Sequence, residues 1–166
     1  MMSSNDQPRF RIREYRHSDF GALCAIDRQC FSESIAYSSE EMALGLAQPG
    51  AFALVAEEGG RVGAFALFCH ERRHLGHVIT IDILPEYRRM GLGRELMELG
   101  EQRLKNDGVS HLVLEVDVRN EPAIGFYDRL GFAIRRRLPA YYADGADALL
   151  MEKHLVNPPS RQRSRE

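Results

Sequence analysis

Two periods of hydrophobicity interleave along the chain. Over residues 111–118 the period is two: Leu112, Leu114, Val116 and Val118 fall on one face and Val113, Glu115 and Asp117 on the other, which predicts a strand. Over residues 91–106 the period is that of a helix, with Leu92, Leu96 and Leu99 on an apolar stripe and Arg94, Glu98, Glu101 and Lys105 on a face expected to be solvated. The same test gives a first strand over 9–15, a helix over 19–31 capped by Ser18 or Asp19, and a short helix from Ser38 to near Pro49-Gly50. Residues 51–57 and 62–69 flank Gly59-Gly60, which can take the positive φ of a tight hairpin. Residues 77–84 form the next strand. Gly108 stops the long helix, and Asn120, followed by Pro122 in the first turn, starts another that ends near Leu130-Gly131. Strands near 132–137 and 146–154 close the domain.

The order strand, two helices, three strands, helix, strand, helix and two strands predicts an α/β protein. Helical crossovers force parallel neighbours and hairpins force antiparallel ones, so the central β-sheet is mixed and flanked by helices. The 166 residues suffice for a single domain, read here as 9–156, that buries roughly 70% of its unfolded surface. Residues 1–8 and 157–166 have little to anchor them and are expected to be disordered tails.

Composition narrows the function. A formal charge of -2 makes no electrostatic case for nucleic acid or an anionic membrane. No apolar run approaches the roughly 20 residues that span a bilayer, and the start lacks the pattern of a signal peptide, so a cytoplasmic location is expected. Cys24, Cys30 and Cys69 are too few and too unpatterned for a disulfide framework. His70, His74 and His77 fall in an apparent strand-to-strand connection, where no helical spacing would aim the rings; a solvated hairpin is expected and no metal.

The chemistry concentrates in two stretches. Ile81-Asp82-Ile83-Leu84-Pro85 is an apolar strand that breaks at proline, and Arg88-Arg89-Met90-Gly91-Leu92-Gly93-Arg94 is a basic, glycine-rich turn that opens a helix. Unpaired N–H groups and the partial positive charge of a helix start suit a diphosphate, and glycine lets it approach. The turn has too few glycines for a Rossmann fingerprint and lacks the Lys-Ser/Thr of a Walker A loop. In the second stretch, Leu114 to Tyr127, Glu115 can accept a proton and Tyr127 can donate one, while Asn120 is a favoured cap. Taken singly, each has an ordinary reading as a wet strand face, a half-buried ring or a helix cap.

Jointly these stretches resemble the Gcn5-related N-acetyltransferase (GNAT) family, and the fold expected is the GNAT fold over nearly the whole chain. Arg88-x-x-Gly91-x-Gly93 resembles its acyl-coenzyme A pyrophosphate site. The run from Leu114 through Asn120, Ala123-Ile124, Tyr127 and Gly131-Phe132 resembles the ribosomal-protein alanine N-acetyltransferase branch, as does Tyr141-Tyr142-Ala143-Asp144-Gly145-Ala146-Asp147-Ala148. The resemblance implies acetyl-coenzyme A as co-substrate, Glu115 as base, Tyr127 as acid, and Asn120 on coenzyme A. It implies that the backbone of Ile81, Asp82 and Ile83 pairs with the pantetheine arm. Phe31, Tyr37, Tyr141 and Tyr142 would form the entrance for a protein or peptide N-terminus, such as that of a ribosomal protein.

Chemistry agrees with an α-amine acceptor. With a pKa of about 8 it is roughly one-tenth neutral at pH 7, whereas lysine near 10.4 is neutral about once in 2,500 molecules. Asp82, expected near Glu115, would raise the Glu115 pKa by like-charge repulsion. Acetylation of a small amine and non-catalytic acyl-coenzyme A binding remain open alternatives, and the oligomeric state is undetermined.

Overall fold

The strands are β1 (Arg11–Glu14), β2 (Ala51–Glu58), β3 (Arg61–Arg72), β4 (Leu75–Ile83), β5 (His111–Asp117), β6 (Ala133–Leu138) and β7 (Ala148–His154); the helices are α1 (Phe20–Cys30), α2 (Ser39–Ala47), α3 (Leu92–Asn106) and α4 (Glu121–Arg129). They come from a computed structural model that describes residues 9–155. The tails expected at 1–8 and 157–166 lie outside the described residues.

One seven-stranded sheet runs β1-β2-β3-β4-β5-β7-β6, and its one parallel pair is β4 with β5. That pair needs a crossover, which α3 supplies. The two faces of β3 show the layering: a Cβ on Gly45 of α2 would touch Leu67, and one on Gly100 of α3 would run into the Phe68 ring. Both rows belong to a continuous core from Leu23 and Ile26 through Phe65 and Phe68 to Leu96, Leu104, Leu114 and Met151. No described helix is long and apolar enough to cross a membrane.

Helix starts follow local chemistry. Ser38 and Glu41 close a reciprocal capping box on α2, with Glu41 N–H donating to Ser38 Oγ at 3.1 Å and Ser38 N–H to Glu41 Oε2 at 2.7 Å. Asn120 caps α4 by accepting from the Ala123 N–H at 3.2 Å.

Two expectations need correction. On α3 the buried stripe is Leu92, Leu96, Gly100 and Leu104, joined by Met97 and Glu101. Leu99 is 46% exposed, and Glu101, expected on the solvated face, is 6% exposed with Lys153 Nζ 2.9 and 3.0 Å from its two oxygens. A strict four-residue step from Leu92 follows the row that faces the sheet, and Leu99 stands off it. The hairpin after β3 is also longer than the apolar run suggests. Arg73, at φ 43°, turns the chain between Arg72 and Leu75, so His70 and His77 lie within strands.

Candidate active site

β4 and β5 pair only over Leu75–His77 and His111–Val113. On its other side β4 carries a bulge: Leu67 faces Thr80 but Phe68 faces Val78, which leaves Ile79 as the extra residue. A bulge bends its strand. Beyond His77, β4 thus has no β5 ladder and the two strands open a cleft.

His77 marks the point of divergence. Its Nε2 lies 2.6 Å from Glu115 Oε2 and its Nδ1 lies 2.7 Å from Glu71 Oε1, so one imidazole bridges two carboxylates. Burial alone would lower the His77 pKa; the hydrogen bonds and charges of Glu115 and Glu71 outweigh it and raise the value. Glu71 is the more exposed end of this chain, and Glu115 the inner one.

Three tyrosines lie within electrostatic reach of Glu115. Tyr37, Tyr141 and Tyr142 all have hydroxyl pKa values raised, first by burial, with the Glu115 charge contributing to each. Tyr141 and Tyr142 meet edge to face at 5.0 Å. Tyr37 comes from the α1–α2 loop, its hydroxyl 3.5 Å from the Ile79 carbonyl. Ser34 of that loop donates to Asp144 of the β6–β7 loop at 3.3 Å, joining the two segments over the cleft. Phe31 directly follows α1, half-buried at the start of the same loop.

Tyr127 lies on α4, buried beside Phe126 and Phe132. Burial first, then the charges of Asp82 and Tyr142, raises its pKa, so the phenol keeps its proton at neutral pH.

The turn between β4 and α3 separates the jobs of its residues. Gly91 caps α3 at φ 80° with open space above its Cα. That conformation favours glycine, and the open space leaves room for a ligand. The Leu92, Gly93 and Arg94 N–H groups precede the first intrahelical bond, Glu95 N–H to Gly91 C=O at 3.1 Å, and no side chain caps them. Arg89 and Arg94 are exposed at this end, and so is Met90. Such a cradle fits a diphosphate.

Other residues of the turn serve structure. Leu92 is buried, which restricts it to a backbone contact with any ligand. A Cβ on Gly93 would stand 3.0 Å from both Ile83 Cδ1 and Phe126 Cζ, so this glycine lets α3 approach β4 and α4. Arg88 folds back: its Nε donates to the Ile83 carbonyl at 2.9 Å and an Nη to Cys30 Sγ at 3.8 Å. The Asn120 carboxamide oxygen is taken by the cap, leaving its amide hydrogens for a ligand.

Asp82 does not sit against Glu115. It is 1% exposed, accepts from Thr80 Oγ1 at 2.6 Å, and its pKa is raised by burial and then by Asp27 of α1. β4 and β5 have parted before the chain reaches it, and the acid that faces Asp82 is Asp27.

The histidines expected in a solvated hairpin each have separate bonds: His70 Nε2 to the Arg73 carbonyl at 2.7 Å, His74 Nδ1 to the Gly108 carbonyl at 2.9 Å, and His77 to its two carboxylates. A different group could hold a metal ion. His111, Glu152 and His154 bring ligand atoms within 4.8 Å of one another, with Arg135 2.9 Å from the second Glu152 oxygen. Cross-strand pairing of His111 with His154 makes this group, which sequence spacing conceals.

His77 and Asp27 were also missed as site residues. His77 carried a signal, as a ring on the strand that precedes the basic turn. Asp27 carried one too, as an acid on the buried α1 row with Leu23, Ile26 and Cys24.

Comparison with known proteins agrees with this geometry. The model of the Acetyltransferase (GNAT) family matches residues 15–132. An N-alpha-acetyltransferase of Sulfurisphaera tokodaii is 33% identical over 154 residues, covering 86% of this chain and 91% of the relative. One of Saccharolobus solfataricus is 46% identical over 81 residues, where the chain spans about half the length of the relative, 48% of each. Among solved structures, Ard1 from Thermoplasma volcanium superposes with a TM-score of 0.83 at 25% identity, over 89% of this chain and 99% of the other. The ribosomal-protein-S18-alanine N-acetyltransferase from Escherichia coli superposes with a TM-score of 0.79 at 26% identity, over 92% and 97%.

Proposed function

Because the chain belongs to the GNAT family and is an acetyl-coenzyme A-dependent acetyltransferase, we propose that its acceptor is the α-amine of a protein N-terminus, of the ribosomal-protein alanine type. The observation that carries this reading is the Glu71–His77–Glu115 chain at the parting of β4 and β5, its inner end within electrostatic reach of three tyrosines.

Bound acetyl-coenzyme A supplies an activated thioester. For the diphosphate, this chain offers the N–H groups of Leu92, Gly93 and Arg94 with the charges of Arg89 and Arg94, and Arg88 braces the turn against Ile83. The unladdered edge of β4 at Ile81, Asp82 and Ile83 lies where an extended amide-bearing arm would run, and Asn120 presents amide hydrogens nearby.

Glu115 accepts a proton from the acceptor amine through one water. When His77 carries its hydrogen on Nδ1, a proton arriving at Glu115 can pass to the free Nε2 as the Nδ1 proton moves to Glu71, near solvent. An α-amine asks little of such a base, since about one-tenth of it is neutral at pH 7. Tyr127, with its raised pKa, holds a proton for the departing sulfur. Tyr37, Tyr141 and Tyr142 keep their hydroxyls protonated and offer donors with apolar ring faces, which suits a short main chain. No covalent acyl-protein is needed; attack in a ternary complex gains its rate from positioning.

Mass spectrometry of peptides with free N-termini, incubated with the protein and acetyl-coenzyme A, tests the reading. An Ala-Arg start and a blocked peptide with an internal lysine are the two informative substrates. Acetyl on the α-amine alone is expected. Transfer to lysine or free small amines only, with coenzyme A binding intact, would overturn it.

A further inference from the structure

Behind the acceptor entrance two carboxyl groups meet inside the protein. Asp27 of α1 is 0% exposed and Asp82 of β4 is 1% exposed. Each has one oxygen committed: Asp27 Oδ2 accepts the Tyr37 N–H at 2.6 Å, and Asp82 Oδ1 accepts the Thr80 hydroxyl at 2.6 Å. The two remaining oxygens, Asp27 Oδ1 and Asp82 Oδ2, are the buried side-chain polar atoms that lack a donor among the described residues. The carboxyls lie within hydrogen-bonding reach of each other.

Two buried, adjacent carboxylates with unpaired oxygens are an arrangement that proteins avoid, because each charge loses water and gains a like neighbour. One proton removes both defects. It neutralises one carboxyl and places a donor between the oxygens that have none.

We propose that Asp27 and Asp82 share a single proton, and that this acid pair fastens the Tyr37 main chain to β4 and so positions the acceptor entrance. The proposal rests on the N-terminal reading only in assigning Tyr37 to that entrance. Burial pushes the pKa of both acids up; the charge and hydrogen bond of Asp27 raise Asp82 further, while the hydrogen bond from Asp82 lowers Asp27.

Among the described residues, none supplies a competing cation at close range. Arg28 on α1 and Arg88 in the turn lower the pair's pKa values, yet neither donates to it; Arg88 spends its donors on Ile83 and Cys30. Glu41 of α2 adds a like charge on Asp27. The thiol of Cys30 and the phenols of Tyr37 and Tyr127, also facing the pair, stay protonated, the Cys30 pKa being pushed up to about 11.

The sign of the linkage follows. In the unfolded chain both acids ionise near pH 4, so between there and the native value the folded protein holds one proton more. Stability from the pair is complete below about pH 4 and declines as pH rises through the native value. An asparagine in place of either acid would carry a permanent donor and erase this dependence.

Urea unfolding from pH 5 to 8 of wild type, Asp82→Asn and Asp27→Asn tests the shared proton. Relative to either variant, the wild-type unfolding equilibrium constant is expected to rise with pH, by at most about tenfold per pH unit, until the shared proton has left. Hydrogen exchange at the Tyr37 amide over the same range tests the fastening, with the wild-type rate climbing relative to the variants as the proton leaves. Parallel pH slopes for wild type and the folded variants, or a flat Tyr37 exchange ratio, would overturn the proposal. Two variants keep the test open if one fails to fold. None of these measurements uses acetyl transfer, so failure of the acceptor assignment would be seen separately.

Discussion

If Glu71, His77 and Glu115 act as one proton path, removing two of its members should cost no more than removing the essential one. Glu115→Gln deletes the base and is expected to lower kcat by about 10²- to 10⁴-fold, roughly 3–5 kcal/mol of barrier. His77→Gln removes the 2.6 Å bond that holds and relays from Glu115. Hydrogen bonds to a charged group contribute about 1.5–3 kcal/mol, and both side chains are about four-fifths buried, so little is lost to screening. His77→Gln should therefore lower kcat by about 10- to 150-fold. Independent effects would multiply to roughly 10³- to 10⁶-fold in the double variant. For one path, the double variant should match Glu115→Gln within about threefold. The assay is thiol release from acetyl-coenzyme A with a saturating Ala-Arg peptide, under conditions where circular dichroism shows all three variants folded. Multiplicative losses, or a His77→Gln enzyme of wild-type rate, would refute the relay.

Other perturbations separate chemistry from packing. Tyr127→Phe should lower kcat about 10²-fold or more with little change in acceptor KM, because the ring packing survives and only the proton donor is lost; unchanged kcat in steady-state assays would remove Tyr127 as the acid. Gly100→Ala would drive a Cβ into the Phe68 ring, and the forced repacking should cost about 1–3 kcal/mol in urea unfolding. Lys153→Met strands the buried Glu101 charge and should cost about 3 kcal/mol, while Lys153→Met with Glu101→Leu should recover most of it; an equal loss in both would mean that the pair's charge is not what matters. A strong chelator should leave acetyl transfer unchanged, since His111 stands four residues from Glu115, about 13 Å along β5; lost activity restored by a divalent ion would assign the His111–Glu152–His154 group a part in the reaction.

The sequence by itself determined those features set by neighbours in the chain. Alternation located β5, Gly59-Gly60 located the β2–β3 turn, and Ser38 with Glu41 closed a cap because its partners are three residues apart. The glycine-rich start of α3 was legible for the same reason, since a helix terminus creates its own anion cradle. Local spacing is weaker evidence of facing, as Leu99 and Glu101 show: one residue along α3 turns a side chain through about 100°. What only the tertiary structure decided depends on where strands part and which faces meet. The bulge at Ile79 and the short β4–β5 ladder place Glu115 against His77 and leave Asp82 beyond the end of the ladder. The packing of α1 on β4 brings Asp27 to Asp82 across 55 residues of chain, and the pairing of β5 with β7 gathers His111 with Glu152 and His154. A carboxylate's neighbours set its proton affinity, and those neighbours are chosen by the fold.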